Sequence, residues 1–338
     1  MKANFKIINE GGIVIVIGRV DTGKSTFCRH LASEALKEGK NVAVIDSDVG
    51  QSWIGPPTTV AMKVYSENPK PILFPDSFYF VGSVTPERHL LQTVVGVRQV
   101  LDSALKAKVD LVVIDTTGLV DGRIGKVLKS SKIEAVRPNH IVCIQRDGEL
   151  ETLIKGYETD STCNIYRISP AREVKKKSRE SRCSYRIEKF CQYFSDFAVY
   201  EVSFSQINGQ RISFLNGREA NDKELENISK VIDHKVLYAE WSSKSLFAVT
   251  ENEVNQASFR KLCGYFSLKE LYTYTPGYFK KRLVAIIDRS GEPVCLALIE
   301  DIDFCRKILT LRGSKDATEV TRAIQFSSFR LDDLDLSY

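Results

Sequence analysis

The stretch IVIVIGRVDTGKSTFCRHLASEALK, Ile13 to Lys37, decides the fold. Its first five residues are an unbroken β-branched run, the pattern of a parallel strand covered on both faces. GRVDTGKST, Gly18 to Thr26, follows directly and satisfies Gly-x-x-x-x-Gly-Lys-Ser/Thr. From Lys24 to Lys37 the periodicity is helical, with Gly39 placed to end the helix. Strand, glycine loop and helix in that order predict a phosphate-binding loop rather than a glycine-rich turn without a ligand. Gly18, Asp21, Thr22, Gly23, Lys24, Ser25 and Thr26 are its expected nucleotide contacts. Backbone N–H groups wrap the β-phosphate, Lys24 reaches the β- and γ-phosphates, and Ser25 ligates Mg²⁺. Guanine-specific relatives of this loop carry Asn/Thr-Lys-x-Asp after a later strand. Here the strand ending at Gln145 is followed by Arg146-Asp147-Gly148-Glu149, so ATP is the expected nucleotide.

Outward from this loop, further short apolar runs are expected as strands at Val42–Asp46, Phe78–Val81, Leu111–Asp115, Ile141–Gln145 and Asn164–Ile168. A second helix is expected over Glu87–Lys106, with Thr85-Pro86 placed to start it. Together these make a βαβ series: an α/β, P-loop NTPase fold with a mostly parallel sheet flanked by helices. After about Tyr200 the texture changes to hairpins, with turns expected at Asn208-Gly209 and around Ser290-Gly291. Two domains are expected, a P-loop domain over residues 1–199 and a smaller β-rich domain over 200–338, with an acidic, loose tail from Asp332.

The totals exclude several classes. With 338 residues, 43% hydrophobic and 27% charged, the chain is neither disordered nor fibrous. Ile13 to Ile17 is far short of the roughly 20 apolar residues that span a bilayer, so no membrane association is expected. Glu10 and its polar neighbours break any signal peptide, so the expected location is cytoplasmic. No two of the eight cysteines lie closer than eight residues, the pattern of reduced core thiols, and nothing in their spacing or that of the four histidines suggests zinc. The net charge of +5 is informative because the segment from Arg172 to Lys189, with eight basic and three acidic residues, carries +5 by itself. A local affinity for polyanions is implied, not a general one.

VAVIDSDVGQSWIGPP, Val42 to Pro57, ends a buried strand with Asp46 and Asp48 and runs on into Gly50-Gln51. Carboxylates at the carboxyl end of a parallel strand lie in the crevice where ligands bind, although Asp also caps turns. Lys175, Arg179, Arg182, Arg186 and Lys189 are spaced 4, 3, 4 and 3, so on a helix they form one stripe; Cys183, Ile187, Phe190 and Phe194 form an apolar stripe about 100° away. Such a helix can dock on one face while guanidiniums reach phosphates from the other, or it can simply present a solvated basic face.

Taken together, these residues resemble the polynucleotide 5′-hydroxyl kinase family, whose eukaryotic members include a pre-mRNA cleavage factor subunit and a ribosomal-RNA-processing kinase. GRVDTGKST is similar to the family's Asp-x-Gly-Lys-Ser-Thr loop, and Asp46-Ser47-Asp48-Val49-Gly50-Gln51 to its Asp-x-Asp-x-Gly-Gln stretch. Thr85-Pro86 resembles its substrate-gripping clasp, Ile114 to Gly125 its Asn/Asp-Thr-x-Gly segment, and the region of about 171–194 its arginine lid. Lys177 stands where a further lid arginine is expected, and only about a dozen residues precede the strand that leads into the loop, where eukaryotic members carry a large domain.

The resemblance implies transfer of the γ-phosphoryl of ATP to the 5′-hydroxyl of an RNA or DNA end, with Mg²⁺ as cofactor and RNA-processing proteins as partners. It implies catalytic roles for Lys24, Asp48, Gln51, Arg182 and Arg186, acceptor binding by Thr85, Pro86, Arg179 and Arg182, and metal binding by Ser25, Asp48 and Asp115. Thr85-Pro86 is equally explained as a helix start, and Asp115 stands open between lying near Mg²⁺ and merely ending its strand. Two other functions stay open: an inactive ATP-binding scaffold in an RNA-processing assembly, and a small-molecule kinase on the same fold.

Overall fold

The computed structural model describes residues 2–171, 176–317 and 321–334. Arg172 and Lys175 of the basic segment and the tail from residue 335 lie outside the described residues. The chain divides into two compact units, one reaching Tyr193 and one beginning at Phe194. No helix among the described residues is long and apolar enough to cross a membrane.

The first unit runs α1 (Lys2–Glu10), β1 (Gly12–Gly18), α2 (Lys24–Lys37), β2 (Val42–Ser47), β3 (Thr59–Tyr65), β4 (Ser77–Phe80), α3 (Leu90–Lys106), β5 (Leu111–Thr116), α4 (Gly122–Val136), β6 (His140–Ile144), α5 (Glu151–Ile154), β7 (Asn164–Ile168) and α6 (Arg179–Phe194). Its seven-stranded sheet has the order β4-β3-β2-β5-β1-β6-β7. The five strands from β2 to β7 are parallel, and β3 and β4 extend the β2 edge antiparallel. Alternate residues of the central strands feed two cores, as a strand's period of two requires. Ile15, Ile17, Ile45 and Ile114 pack under α3 and α4, while Val14, Val16, Val44 and Val113 pack under α1 and α2. The run Val14 to Ile17 is fully buried because both faces of β1 are covered.

The expected strands are present within a residue or two of their expected bounds, and α2 has the expected ones. α3 does not start at Thr85-Pro86 as expected. Thr85 takes part in a separate turn, its N–H donating to Ser83 Oγ (3.2 Å) while His89 N–H donates to Pro86 O (2.9 Å). The helix begins one turn later, with His89 as its N-cap residue. β3 was not expected, because Lys63 interrupts its apolar run; at this antiparallel edge Lys63 pairs with Asp76.

The second unit contains β8 (Ala198–Ser203), β9 (Asn208–Gln210), β10 (Arg218–Glu219), α7 (Asp222–Ile232), β11 (Val236–Ser242), β12 (Ser245–Thr250), α8 (Gln256–Tyr265), β13 (Glu270–Tyr274), β14 (Arg282–Ile287), β15 (Pro293–Asp303), β16 (Ile308–Gly313) and β17 (Ala323–Arg330). They form a six-stranded sheet, β8-β16-β15-β14-β17-β9, and a four-stranded one, β10-β11-β12-β13. The β14–β15 hairpin turns where expected. The hairpin expected at Asn208-Gly209 is absent: β9 pairs in parallel with β17 instead. The following loop folds back over it, with Asn216 Nδ2 donating to Gly209 O (2.7 Å), Ile212 O (3.1 Å) and Phe214 O (3.2 Å). Phe214 is thereby driven to the centre of an aromatic core with Phe204, Tyr238, Phe247, Phe279, Phe304 and Phe326. All eight cysteines are free, but only Cys28, Cys143, Cys183 and Cys295 are buried; Cys191 and Cys305 are exposed, against the expectation of core thiols.

Gly96 lets α3 close on β4, since a Cβ there would lie 2.6 Å from Tyr79 Cδ1. Gly96→Val should therefore cost about 1–3 kcal/mol by overpacking. The urea midpoint measures this, and a midpoint equal to the wild type would contradict the close packing.

Candidate active site

The phosphate loop is shaped by contacts that admit little besides its own residues. A Cβ at Gly18 would sit 2.6 Å from Ile144 O, and Gly23 caps α2 with φ +87° and offers no side-chain acceptor to the helix's first N–H groups. Those donors stay available to an anion. Thr22 Oγ1 and Lys24 Nζ both donate to Arg19 O, at 2.9 and 2.8 Å, while the Arg19 guanidinium pairs with Asp121 across the mouth. Burial lowers the Lys24 pKa, and the charges of Asp115, Asp48 and Asp21 oppose that shift.

Three carboxylates gather at the carboxyl ends of β2 and β5. Asp46 and Asp115 are in register on these paired strands, and both are fully buried. Asp46 Oδ1 accepts Asp48 N–H (2.9 Å), and its Oδ2 accepts the N–H groups of Trp53 (2.6 Å) and Ile54 (3.2 Å), so this side chain organises the turn that carries Asp48. Asp115 Oδ2 accepts Trp53 Nε1 (3.1 Å), whereas its Oδ1 is buried without a hydrogen-bond partner. Burial pushes both carboxyls upward; at Asp115 the Ser25 hydroxyl and Lys24 work against the rise. Asp48 Oδ1 accepts Gly50 and Gln51 N–H at 3.1 Å each, and its Oδ2 makes no hydrogen bond among the described residues.

Beneath these acids lie two lysines that the sequence reading missed. Lys129 and Lys132 of α4 are fully buried. Lys129 Nζ donates to Thr116 Oγ1 (2.9 Å) and Thr117 O (2.5 Å); Lys132 Nζ donates to Ser47 Oγ (2.8 Å), which itself donates to Asp115 O (2.7 Å). The available signal was their spacing of three, which puts them on the core face with Leu128 and Ile133.

α6 closes the other side. Cys183 and Phe190 are buried, Tyr193 stacks on Phe74, and Tyr185 OH donates to Ser52 O (2.7 Å). Arg182 Nη2 donates to Asp21 Oδ2 (2.6 Å), which also accepts Lys177 N–H (3.0 Å). Gln51 Nε2 donates to Arg182 O (3.1 Å), leaving Gln51 Oε1 and Arg186 Nε buried and unpartnered.

These elements surround one cavity of about 590 Å³. Of the expected residues, Asp21, Gly23, Lys24, Ser25, Thr26, Asp48, Gln51, Thr85, Pro86, Arg182 and Arg186 line it. Gly18 and Thr22 shape the loop from behind, Asp115 sits under Ser25, and Arg179 is exposed at the start of α6, outside the lining. Lys177, Arg29 and the segment Thr117–Asp121 complete the wall. A glycine-lined anion cradle with Lys24, the Asp48 carboxylate and the guanidiniums of Arg182 and Arg186 around one cavity can hold a phosphoryl donor beside an acceptor that carries a proton.

The family described as mRNA cleavage and polyadenylation factor CLP1 P-loop matches over residues 18–196. The chain is similar to a polyribonucleotide 5′-hydroxyl-kinase of Pyrococcus abyssi, 32% identical over 323 residues that cover 94% of this chain and 87% of the relative. A protein of the same name from Methanocaldococcus jannaschii is 30% identical over 325 residues, covering 95% and 87%. Among solved structures, Clp1p in a wild-type Clp1p–Pcf11p complex has the same fold, with a TM-score of 0.62 at 15% identity, covering 97% of this chain and 78% of that one.

Burial pulls Lys132 down to about 8 from an ordinary 10.5, with Asp48, Asp46 and Asp115 holding it up. The unfolded chain keeps that proton longer, so this group's contribution to stability rises as pH climbs from about 8 towards 10.5. The destabilisation of Lys132→Met relative to wild type should accordingly be smallest at neutral pH and grow in alkali. Urea midpoints across that range would contradict this if the difference were independent of pH.

Proposed function

The chain belongs to the CLP1 P-loop family, and from that membership we infer that it is an ATP-dependent polynucleotide kinase acting on the 5′-hydroxyl of RNA. The observation that carries the reading is the convergence of Lys24, Asp48, Gln51, Thr85-Pro86, Arg182 and Arg186 on one cavity. A scaffold that only stores ATP needs the loop and none of the rest. The relatives' shared name supports an RNA acceptor, and the family's name supports a place in RNA-end processing.

In this reading the triphosphate lies along the loop, held by the N–H groups of the α2 start and by Lys24, which exchanges Arg19 O for phosphate oxygens. The acceptor hydroxyl sits against Asp48. Its oxygen bonds to the γ-phosphorus as the bond to the β-bridging oxygen breaks; the hydroxyl proton passes to Asp48 Oδ2, and ADP leaves. The unpartnered Gln51 Oε1 is placed to orient the acceptor. Arg182 and Arg186 neutralise the charge spread over the moving phosphoryl group, a role suited to planar guanidiniums. The donor set beside the loop, the Ser25 hydroxyl with Asp48 and the unpartnered Asp115 Oδ1, consists of hard oxygens that fit Mg²⁺. When bound there, the ion would neutralise phosphate charge. Thr85 and Pro86, freed from the helix start, form the acceptor wall.

Incubation with γ-labelled ATP, Mg²⁺ and 5′-hydroxyl oligonucleotides of both sugars should place label on the RNA end. No labelled end with either sugar would overturn the reading. Asp48→Asn should lower kcat by roughly 10²–10⁴-fold, the usual worth of a general base. Arg182→Ala should lower it by about 10³-fold, as for arginines that stabilise a phosphoryl group in transfer. Lys24→Ala should abolish transfer. All three variants should keep the wild-type circular dichroism, and wild-type turnover in any of them would remove that residue from the mechanism.

A further inference from the structure

α3 and α4 run in the same direction, since each leads back into a strand of the parallel sheet, and they pack side by side with Arg98 Nη1 donating to Ala135 O (3.2 Å). Two turns earlier on each helix come Leu91 and Leu128, so the first turn of α3 runs beside the second turn of α4. Both begin at the cavity wall: Pro86 lies just before α3, and Val120 and Asp121 just before α4. On this lip Leu91 is 73% exposed, Ile124 46% and Val127 47%. The same two stretches of chain carry Arg88, Arg123 and Lys126, all exposed and without an ion pair among the described residues. The nearby acids do not neutralise them: Asp121 is committed to Arg19, and Asp102 to Arg98 further along α3, which leaves Glu87 and, further along α4, Glu134 as exposed carboxylates.

Resting on the kinase reading for its ligand, we propose that this lip is the track for the polynucleotide downstream of its 5′ end. Arg88, Arg123 and Lys126 meet successive phosphates, and Leu91, Ile124 and Val127 pack against sugars and bases. Unpaired cations interleaved with exposed apolar side chains suit a single strand, whose backbone is anionic and whose base faces are apolar. Continuity with the cavity wall supplies the direction, since a strand whose terminal hydroxyl is at Asp48 leaves past Pro86 or Val120. The charge balance agrees: the lip adds positive charge on the wall formed by the starts of α3 and α4, whereas the arginines of α6 serve the donor.

The test uses a 5′-hydroxyl RNA 12-mer and a dinucleotide acceptor with the double variant Arg123→Ser/Lys126→Ser, whose positions touch neither loop nor lid. Fluorescence anisotropy should show roughly tenfold weaker binding of the 12-mer, with the slope of log K against log salt reduced by about 1.4 for two lost single-strand contacts. KM for the 12-mer should rise in step, while KM for the dinucleotide and for ATP stays at the wild-type value. Ile124→Ser/Val127→Ser should also weaken 12-mer binding, but with an unchanged salt slope. Unchanged affinity and slope in the charge variant would overturn the track and leave the lip to a protein partner. If the wild type transfers no phosphate yet its 12-mer binding drops in the variants as described, the kinase reading fails and the track stands.

Discussion

Burying opposite charges together at the carboxyl ends of β1, β2 and β5 is the constraint on which the rest of the site depends. Lys24, Lys129 and Lys132 on one side, and Asp46 and Asp115 on the other, have almost no exposure to water. Removing one member of such a group leaves an uncompensated charge, which costs several kcal/mol in a protein interior. Hydrogen bonds tie them to the strand ends: Lys129 Nζ donates to Thr116 Oγ1, Lys132 Nζ to Ser47 Oγ, and Trp53 to both Asp46 Oδ2 and Asp115 Oδ2. A rigid, oriented set of dipoles next to the loop is what phosphoryl transfer asks of a protein, because there is little covalent chemistry for it to do. The two carboxylates of the Asp-x-Asp stretch accordingly divide their work. Asp46 spends its hydrogen-bonding capacity on the turn, and Asp48 keeps Oδ2 free of any partner among the described residues.

The same logic extends to the lid. Asp21 holds Arg182 and the N–H of Lys177, so one carboxylate fills the place that phosphate oxygens take in the proposed reaction. An anion that competes with Asp21 for Arg182 couples the loop to α6 without any new charge having to be buried. Gln51 adds a second tie by donating to Arg182 O, so the acceptor side and the lid move as neighbours.

Much of this architecture is legible in the sequence because the strongest signals are local. Ile13–Ile17 followed by GRVDTGKST fixes strand, loop and helix within 25 residues, and the 4, 3, 4 spacing of Cys183, Ile187, Phe190 and Phe194 reports the docked face of α6. What was not legible depends on partners distant in sequence. Lys129 and Lys132 look like surface residues until they are known to be buried against the carboxyl ends of β2 and β5. Thr85-Pro86 carries a good helix-start signature, yet hydrogen bonds from Thr85 to Ser83 and from His89 to Pro86 close a separate turn. Asn208-Gly209 has the composition of a hairpin turn, but Asn216 and the burial of Phe214 decide otherwise.

The most direct test of the shared crevice is a crystal structure with a non-hydrolysable ATP analogue, Mg²⁺ and a 5′-hydroxyl RNA. The account predicts the acceptor oxygen within about 3 Å of the Asp48 carboxylate, the reach of a general base, with Arg182 moved from Asp21 to the phosphates. An acceptor end bound elsewhere, or a filled phosphate loop with Arg182 still on Asp21, would contradict it.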